Sequence, residues 1–187
     1  MISNVKSTCV ATGFFNAFGN KGAIGISFQI GANTFCVING HLSSGQSAVK
    51  RRITEFQRIN NIIVEKLGQR SAKHPSRFSI RTNINFSKHR VMPTCLRVNR
   101  LFDCFDFVFW SGDLNFRVNA SRSIVDGLLK ARCYDVLLNN DQLSLLMKVD
   151  PNFAGIQEGP INFRPTYKYD LASGKYVLTT IYNMRKI

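Results

Sequence analysis

The stretch from Phe105 to Asn115, FDFVFWSGDLN, constrains this chain more than any other. Apart from Asp106, its first six residues are aromatic or β-branched, the composition of a strand buried on both faces. Ser111 and Gly112 end the run, since a residue without a Cβ lets the backbone turn where a bulkier one would strain. Asp113 and Asn115 follow two apart, so in extended geometry their side chains leave the backbone on the same side. A carboxylate and an amide at the end of a rigid strand can orient one water or hydroxyl. Read alone, however, Asp-x-Asn points first to an Asx-rich turn that merely holds its own loop.

Other strands lead to polar groups in the same way. Val5 to Thr12 reads as a strand, followed by a glycine-bearing loop, Gly13 to Gly22. Lys21 is followed by glycine rather than Ser or Thr, so this is no P-loop, yet a lysine between glycines can approach a phosphate closely. Ile24, Ile26, Phe28 and Ile30 alternate with the period of a half-buried strand. Gly31 to Asn33 is a hairpin signal, and Thr34 to Ile38 is the return strand, delivering Asn39, Gly40, His41 and Leu42 to a glycine turn. A lone histidine after a strand is more often structural than catalytic. Set beside the Asp113 turn, it gives two strand ends with complementary acid–base chemistry.

From Ser47 to Leu67, apolar residues at Val49, Ile53, Phe56, Ile59, Ile63 and Leu67 are spaced by three and four. They predict an amphipathic helix lying on a sheet, with Lys50, Arg51, Arg52 and Arg58 largely toward solvent. Gly68 to Phe102 carries eight Lys or Arg residues and no acid, and reads as a long basic loop inserted in the core. Ser123 to Asp126 resembles a capping box opening a short helix through Lys130. Asp141 to Met147 predicts another helix, capped by Asp141 or Asn140. Ile161 to Phe163 reads as a strand. Beyond it, Tyr167, Lys168 and Tyr169 join one cation to two hydroxyl-bearing rings, either a phosphate clamp or an aromatic surface turn.

Composition narrows the class. At 187 residues, with 44% apolar residues and no long apolar run, one globular domain without a membrane span is expected. No signal peptide is read at the N-terminus. The five scattered cysteines lack any Cys-x-x-Cys and, four of them in or beside apolar runs, fit reduced, buried thiols in a cytosolic protein rather than a disulfide frame or zinc site. A net charge of +14 calls for an anionic partner: nucleic acid, an acidic membrane surface or a phosphorylated small molecule.

In order, GNKG (residues 19–22), NGHL (39–42), WSGDLNFR (110–117) and PTYKYD (165–170) resemble the inositol polyphosphate 5-phosphatases across nearly the whole chain. KGAIGISF (21–28) and DQL (141–143) resemble its prenylated branch, found at cilia and Golgi. The resemblance implies an α/β fold, the four-layer α/β/β/α sandwich shared with DNase I, and magnesium-dependent removal of the 5-phosphate from inositol lipids or soluble inositol phosphates. It implies that Asp113 activates the attacking water, Asn115 hydrogen-bonds around the scissile phosphate and His41 stabilises charge on its oxygens. Tyr167 and Lys168 would grip the neighbouring 4-phosphate, with Lys21 and Asn20 also on the substrate. Asn39 and Arg117 would support the turns. The expected partner is a phosphoinositide headgroup or soluble inositol polyphosphate at an anionic membrane surface, reached from the cytoplasm, and not nucleic acid.

The family's metal-binding glutamate strand, its Pro-x-(Trp or Tyr)-x-Asp-Arg box and its Ser-Asp-His strand are not found. The expectation is therefore a single catalytic domain, incomplete at both ends, with its main magnesium ligands outside this chain. Such a chain would be inactive or nearly so by itself. A DNase I-like endonuclease and a non-catalytic lipid-binding module are the competing readings.

Overall fold

The structure, a computed structural model, describes residues 1–13, 19–68 and 101–163. The Tyr167 and Lys168 assignments, and nearly all of the basic segment at 68–102, lie outside the described residues. Strands β1 (Ile2–Ala11), β2 (Gly22–Ile30), β3 (Asn33–His41) and β4 (Phe107–Asp113) form one sheet in the order β1-β2-β3-β4. The β1–β2 and β2–β3 pairs are antiparallel, while β3 and β4 run parallel. A parallel pair needs a crossover, and helix α1 (Val49–Leu67) lies in it. Four further helices are described: α2 (Leu101–Cys104), α3 (Arg122–Lys130), α4 (Tyr134–Asn139) and α5 (Gln142–Val149), with a 3-10 turn at Pro151–Phe153.

The core lies between α1 and one face of the sheet. Strand alternation brings Ala23, Cys36 and Ile38 against Phe56, Ile59, Ile63 and Leu67 of the helix. The helix sits directly on β2, where a Cβ on Gly25 would come within 2.8 Å of Ile63. Phe56 packs on Trp110 and Phe153 with ring centroids 4.7 and 4.5 Å apart. Trp110, half-buried, satisfies its indole N–H by donating to Asn60 Oδ1 at 3.1 Å.

The opposite face is apolar and open among the described residues. Phe28, Phe35 and Phe107 stack across three strands, and Phe109 beside them is 54% exposed. The sequence predicts β4 buried on both faces. The described elements cover only the face of Val108 and Trp110, so Phe107 and Phe109 contradict that expectation.

Several local expectations are corrected. Asn39, Gly40 and His41 are not a turn but the last residues of β3. Gly40 is there because a Cβ would stand 2.8 Å from the Trp110 ring. Arg52 is not solvated but fully buried, because it lies four residues before Phe56 on the same helical stripe. The capping box at Ser123 does not form; Ser121 is the N-cap residue, and Asp126 pairs instead with Arg122 at 3.1 Å. Ile161 to Phe163 is not a strand, and α4 was not foreseen. Asp141 does cap its helix, accepting from the Ser144 N–H at 2.9 Å. Of the four described cysteines, only Cys36 is buried, and burial followed by the nearby Cys104 pushes its thiol up to about 12. Cys9 and Cys133 are exposed, contrary to the expectation of buried thiols.

Gly112 holds the parallel pair together at its end. Its φ is +107°, and an added Cβ would fall 2.2 Å from the carbonyl oxygen and 2.8 Å from the nitrogen of Gly40 on β3. Both are backbone atoms in a paired strand, so neither can swing aside. Replacing Gly112 with alanine is expected to cost about 3 kcal/mol of stability, at the upper end of what a strained backbone position stores. A urea midpoint lowered at unchanged m-value is the expected result; a midpoint equal to that of the parent would contradict it.

Candidate functional site at the ends of β3 and β4

The register of the parallel pair sets His41 opposite Asp113 and Asn39 opposite Ser111. Both side chains of the first pair therefore leave the sheet on its open face, at the carboxyl ends of two adjacent strands. His41 Nε2 lies 3.8 Å from Asp113 Oδ2, with 54% of the histidine side chain and 20% of the aspartate exposed. The antiparallel partner adds a third group. Gly22 pairs with His41, and Lys21 just before it places Nζ 2.6 Å from His41 Nε2. A charged lysine can only donate, so in this contact Nε2 is the acceptor and the ring proton lies on Nδ1. One imidazole nitrogen thus faces a cation and a carboxylate contributed by other strands or loops.

A cavity of about 370 Å³ opens beside this group, lined by Asn20, Lys21, Asn39 and His41 on its polar side and by Val10, Ala23 and Ile24 beneath. Its size suits a small polar ligand. The loop that brings Lys21 here is anchored where Thr12 N–H donates to the Lys21 carbonyl at 2.9 Å.

Asp113 and Asn115 do not share an orientation, contrary to the expectation from extended geometry. Asn115 has φ +57°, which turns its side chain inward. Its amide donates to the Leu42 carbonyl at 2.8 Å and accepts from Arg117 Nη2 at 2.7 Å, and the residue is only 4% exposed. Asn115 N–H donates to Asp113 Oδ1 at 3.2 Å, orienting the carboxylate. Arg117 Nε also donates to the Asn115 carbonyl at 3.1 Å, so Arg117 grips the turn at two points. Asn39 Nδ2 donates to Ser111 Oγ at 3.3 Å across the strand pair.

Beneath these turns lies a polar cluster that the sequence reading missed. Arg52 Nη1 donates to the carbonyls of Ser43 and Gly45, at 3.0 and 2.8 Å. Its Nη2 donates to Gln142 Oε1 at 2.7 Å, and its guanidinium lies 5.1 Å over the Phe116 ring. Burial first, then the neighbouring Arg117, brings its pKa down to about 10, against the opposing pull of Glu55. Glu55 accepts from both the backbone N–H and the hydroxyl of Ser43. The only signal in the sequence was the position of Arg52 and Glu55 around an apolar helical stripe.

Magnesium held by protein alone needs a near-octahedral set of oxygens. Among the described residues no group of three or more His, Cys, Asp or Glu could hold a metal ion, and the Asn115 side-chain oxygen already accepts from Arg117. The described residues therefore do not form a magnesium cage.

The chain is 33% identical to Synaptojanin-2 of Homo sapiens over 94% of its own length, and 33% identical to type I inositol polyphosphate 5-phosphatase 5 of Arabidopsis thaliana over the same share. It spans only 10% and 29% of those proteins. Among solved structures, the inositol polyphosphate 5-phosphatase domain of SpSynaptojanin, bound to inositol (1,4)-bisphosphate and calcium ion, matches with a TM-score of 0.66 and 27% identity. The match covers 96% of this chain and 43% of that one. A Cimex nitrophorin in its ferrous NO complex matches at a TM-score of 0.57 and 22% identity, which shows the fold alone. The profile of endonuclease/exonuclease/phosphatase family 2 matches residues 1–185. This chain belongs to the endonuclease/exonuclease/phosphatase family 2, with synaptojanins and inositol polyphosphate 5-phosphatases among its relatives.

Proposed function

We propose that this chain supplies the phosphate-binding and water-activating side of a phosphatase that removes the 5-phosphate from phosphoinositides or soluble inositol polyphosphates. The observation that carries this reading is the meeting of Lys21, His41 and Asp113 beside a cavity whose polar side is formed by Asn20, Lys21, Asn39 and His41. The ligand of the SpSynaptojanin domain supports it, since inositol (1,4)-bisphosphate carries phosphates at positions 1 and 4 and none at 5.

Phosphoryl transfer depends on positioning and on positive charge around a spreading anion. Asp113, its Oδ1 fixed by the Asn115 N–H, accepts the proton of the attacking water. Lys21 exchanges its bond to His41 Nε2 for one to a phosphate oxygen, acting as a mobile point charge. With that lysine withdrawn, His41 takes a proton from solvent on Nε2 and directs that N–H toward the phosphoryl oxygens, while the phosphorus–oxygen bond to inositol breaks and the departing inositol oxygen takes a proton from solvent. Asn115 serves by holding the two turns together, while Asn20 lines the substrate side of the cavity. Tyr167 and Lys168 are assigned to the 4-phosphate. Magnesium is the proposed metal, with ligands beyond the described residues, and the chain alone is accordingly proposed to turn over little. The net charge of +14 favours an anionic membrane surface as the place of work.

Hydrolysis of phosphatidylinositol 4,5-bisphosphate in the presence of magnesium tests the reading. The chain extended to a domain of the SpSynaptojanin length is expected to yield the 4-phosphorylated lipid, and the chain alone little or none. A 5-phosphorylated product, or plasmid cleavage without lipid hydrolysis, would overturn it.

A further inference from the structure

We propose that Gln142 is a positioning residue for the Lys21–His41–Asp113 site, acting through the two turns that its side-chain amide holds together. The proposal deepens the phosphatase reading and rests on it. Gln142 opens α5, far in sequence from either turn, and is only 3% exposed. Its Oε1 accepts from the Arg117 N–H at 3.0 Å and from Arg52 Nη2 at 2.7 Å. Its Nε2 donates to the Gln46 carbonyl at 3.1 Å and to Asn119 Oδ1 at 2.9 Å. Two acceptor positions and two donor protons are all that a primary amide offers, so this one is fully used.

The four partners fall into two groups, and that division gives the residue its role. Gln46, and Ser43 and Gly45 through Arg52, belong to the loop that leaves β3 directly after His41. Arg117, which clasps Asn115 at its carbonyl and its side-chain oxygen, belongs to the turn that leaves β4 directly after Asp113. Gln142 also donates its own backbone N–H to the Arg117 carbonyl at 2.9 Å. The strand register fixes where His41 and Asp113 start; the amide fixes where the chain goes after each. A shift of either turn would change the 3.8 Å separation of Asp113 from His41 and the Asn115 bond that aims the carboxylate. Displacements of this order weaken catalysis even when the reacting groups themselves are intact.

Two variants of this chain separate positioning from simple stability. Gln142→Leu removes all four bonds. Gln142→Glu keeps both acceptor bonds, to Arg117 and Arg52, and loses both donor bonds. Backbone amide and histidine-ring NMR shifts are compared in the ligand-free chain, and inorganic phosphate is then titrated. Gln142→Leu is expected to move the signals of Leu42, Asp113, Asn115 and the His41 ring while leaving those of β1 and the middle of α1 in place. Its affinity for phosphate is expected to fall about tenfold, the scale of one lost polar contact. Gln142→Glu is expected to keep the Asp113 and Asn115 signals near their native positions and shift the Gln46 loop. A folded Gln142→Leu variant with native Asp113 and His41 signals would overturn the proposal. If that variant does not fold, Gln142→Glu decides: disturbance spread evenly over the sheet would mark a merely structural residue. Should phosphate fail to perturb His41 even in the native chain, the phosphatase reading falls instead, and the ligand-free shifts still judge Gln142.

Discussion

Asp113→Asn is expected to abolish nearly all turnover, by about 10²–10⁴-fold, the contribution of a positioned general base. The expected signature is a loss in kcat with little loss in substrate binding. Asparagine is nearly isosteric with aspartate, and its side-chain oxygen can still accept the Asn115 N–H that now reaches Asp113 Oδ1. The turn should therefore keep its shape and the protein its stability. What disappears is the carboxylate charge near His41 Nε2, and with it the proton acceptor for water. Removing a negative charge from an anion site should also strengthen binding of inorganic phosphate. Turnover and anion affinity would thus move in opposite directions, an outcome that general disorder at the site could not produce. Turnover within a few-fold of the parent, in a form of the protein that is active, would remove Asp113 from the chemistry.

Arg52→Met should lower stability by about 3–5 kcal/mol, the range for deleting one member of a buried charged network. The methionine fills much of the same space, so the loss is electrostatic. The carbonyls of Ser43 and Gly45 and the Gln142 side-chain oxygen each lose a donor, and the Glu55 carboxylate loses a neighbouring positive charge. Burial lowers the Arg52 pKa to about 10, so burying the charge costs more than its surroundings return, yet the group remains charged at neutral pH. Because the folded value lies below the unfolded one, stability linked to this group would rise with pH only above about 10. The deficit should be constant between pH 6 and pH 8, as urea titrations at those two values would show. Adding Glu55→Gln should make the double variant less unstable than the sum of the singles, since Arg52 and Glu55 both hold the Ser43 loop and the loss of that loop is counted once. Strict additivity would mean that Arg52 and Glu55 do not share one network.

The site was legible where its residues belong to strands. Alternation of Ile24, Ile26, Phe28 and Ile30 gave the hairpin, and two polar endings on apolar strands gave His41 and Asp113 as partners; the register then sets them opposite one another. Lys21 stood out as a lysine between glycines and the family resemblance set it on the substrate, and the coordinates give it a contact with His41 that spacing could not. The reading failed where a residue's environment comes from distant segments. Asn115 was expected to point with Asp113, but a positive φ turns it into the protein to meet Leu42. Arg52 was expected in solvent because lysine and arginine usually are, yet the loop after β3 presents carbonyls to it and α5 presents Gln142.

The sequence by itself determined the four strands of the sheet, the long helix and the family, because these follow from periodicity and from motifs carried by consecutive residues. Only the tertiary structure decided which polar groups face the substrate side and which are tied up beneath it. For Asn115, Arg52 and Gln142 that choice depends on Leu42, Gln142 and Gln46, hydrogen-bond partners 73 to 96 residues away. No local pattern encodes such a partner. A buried donor or acceptor is placed by whichever distant group satisfies it, and that group is known only once the chain has folded.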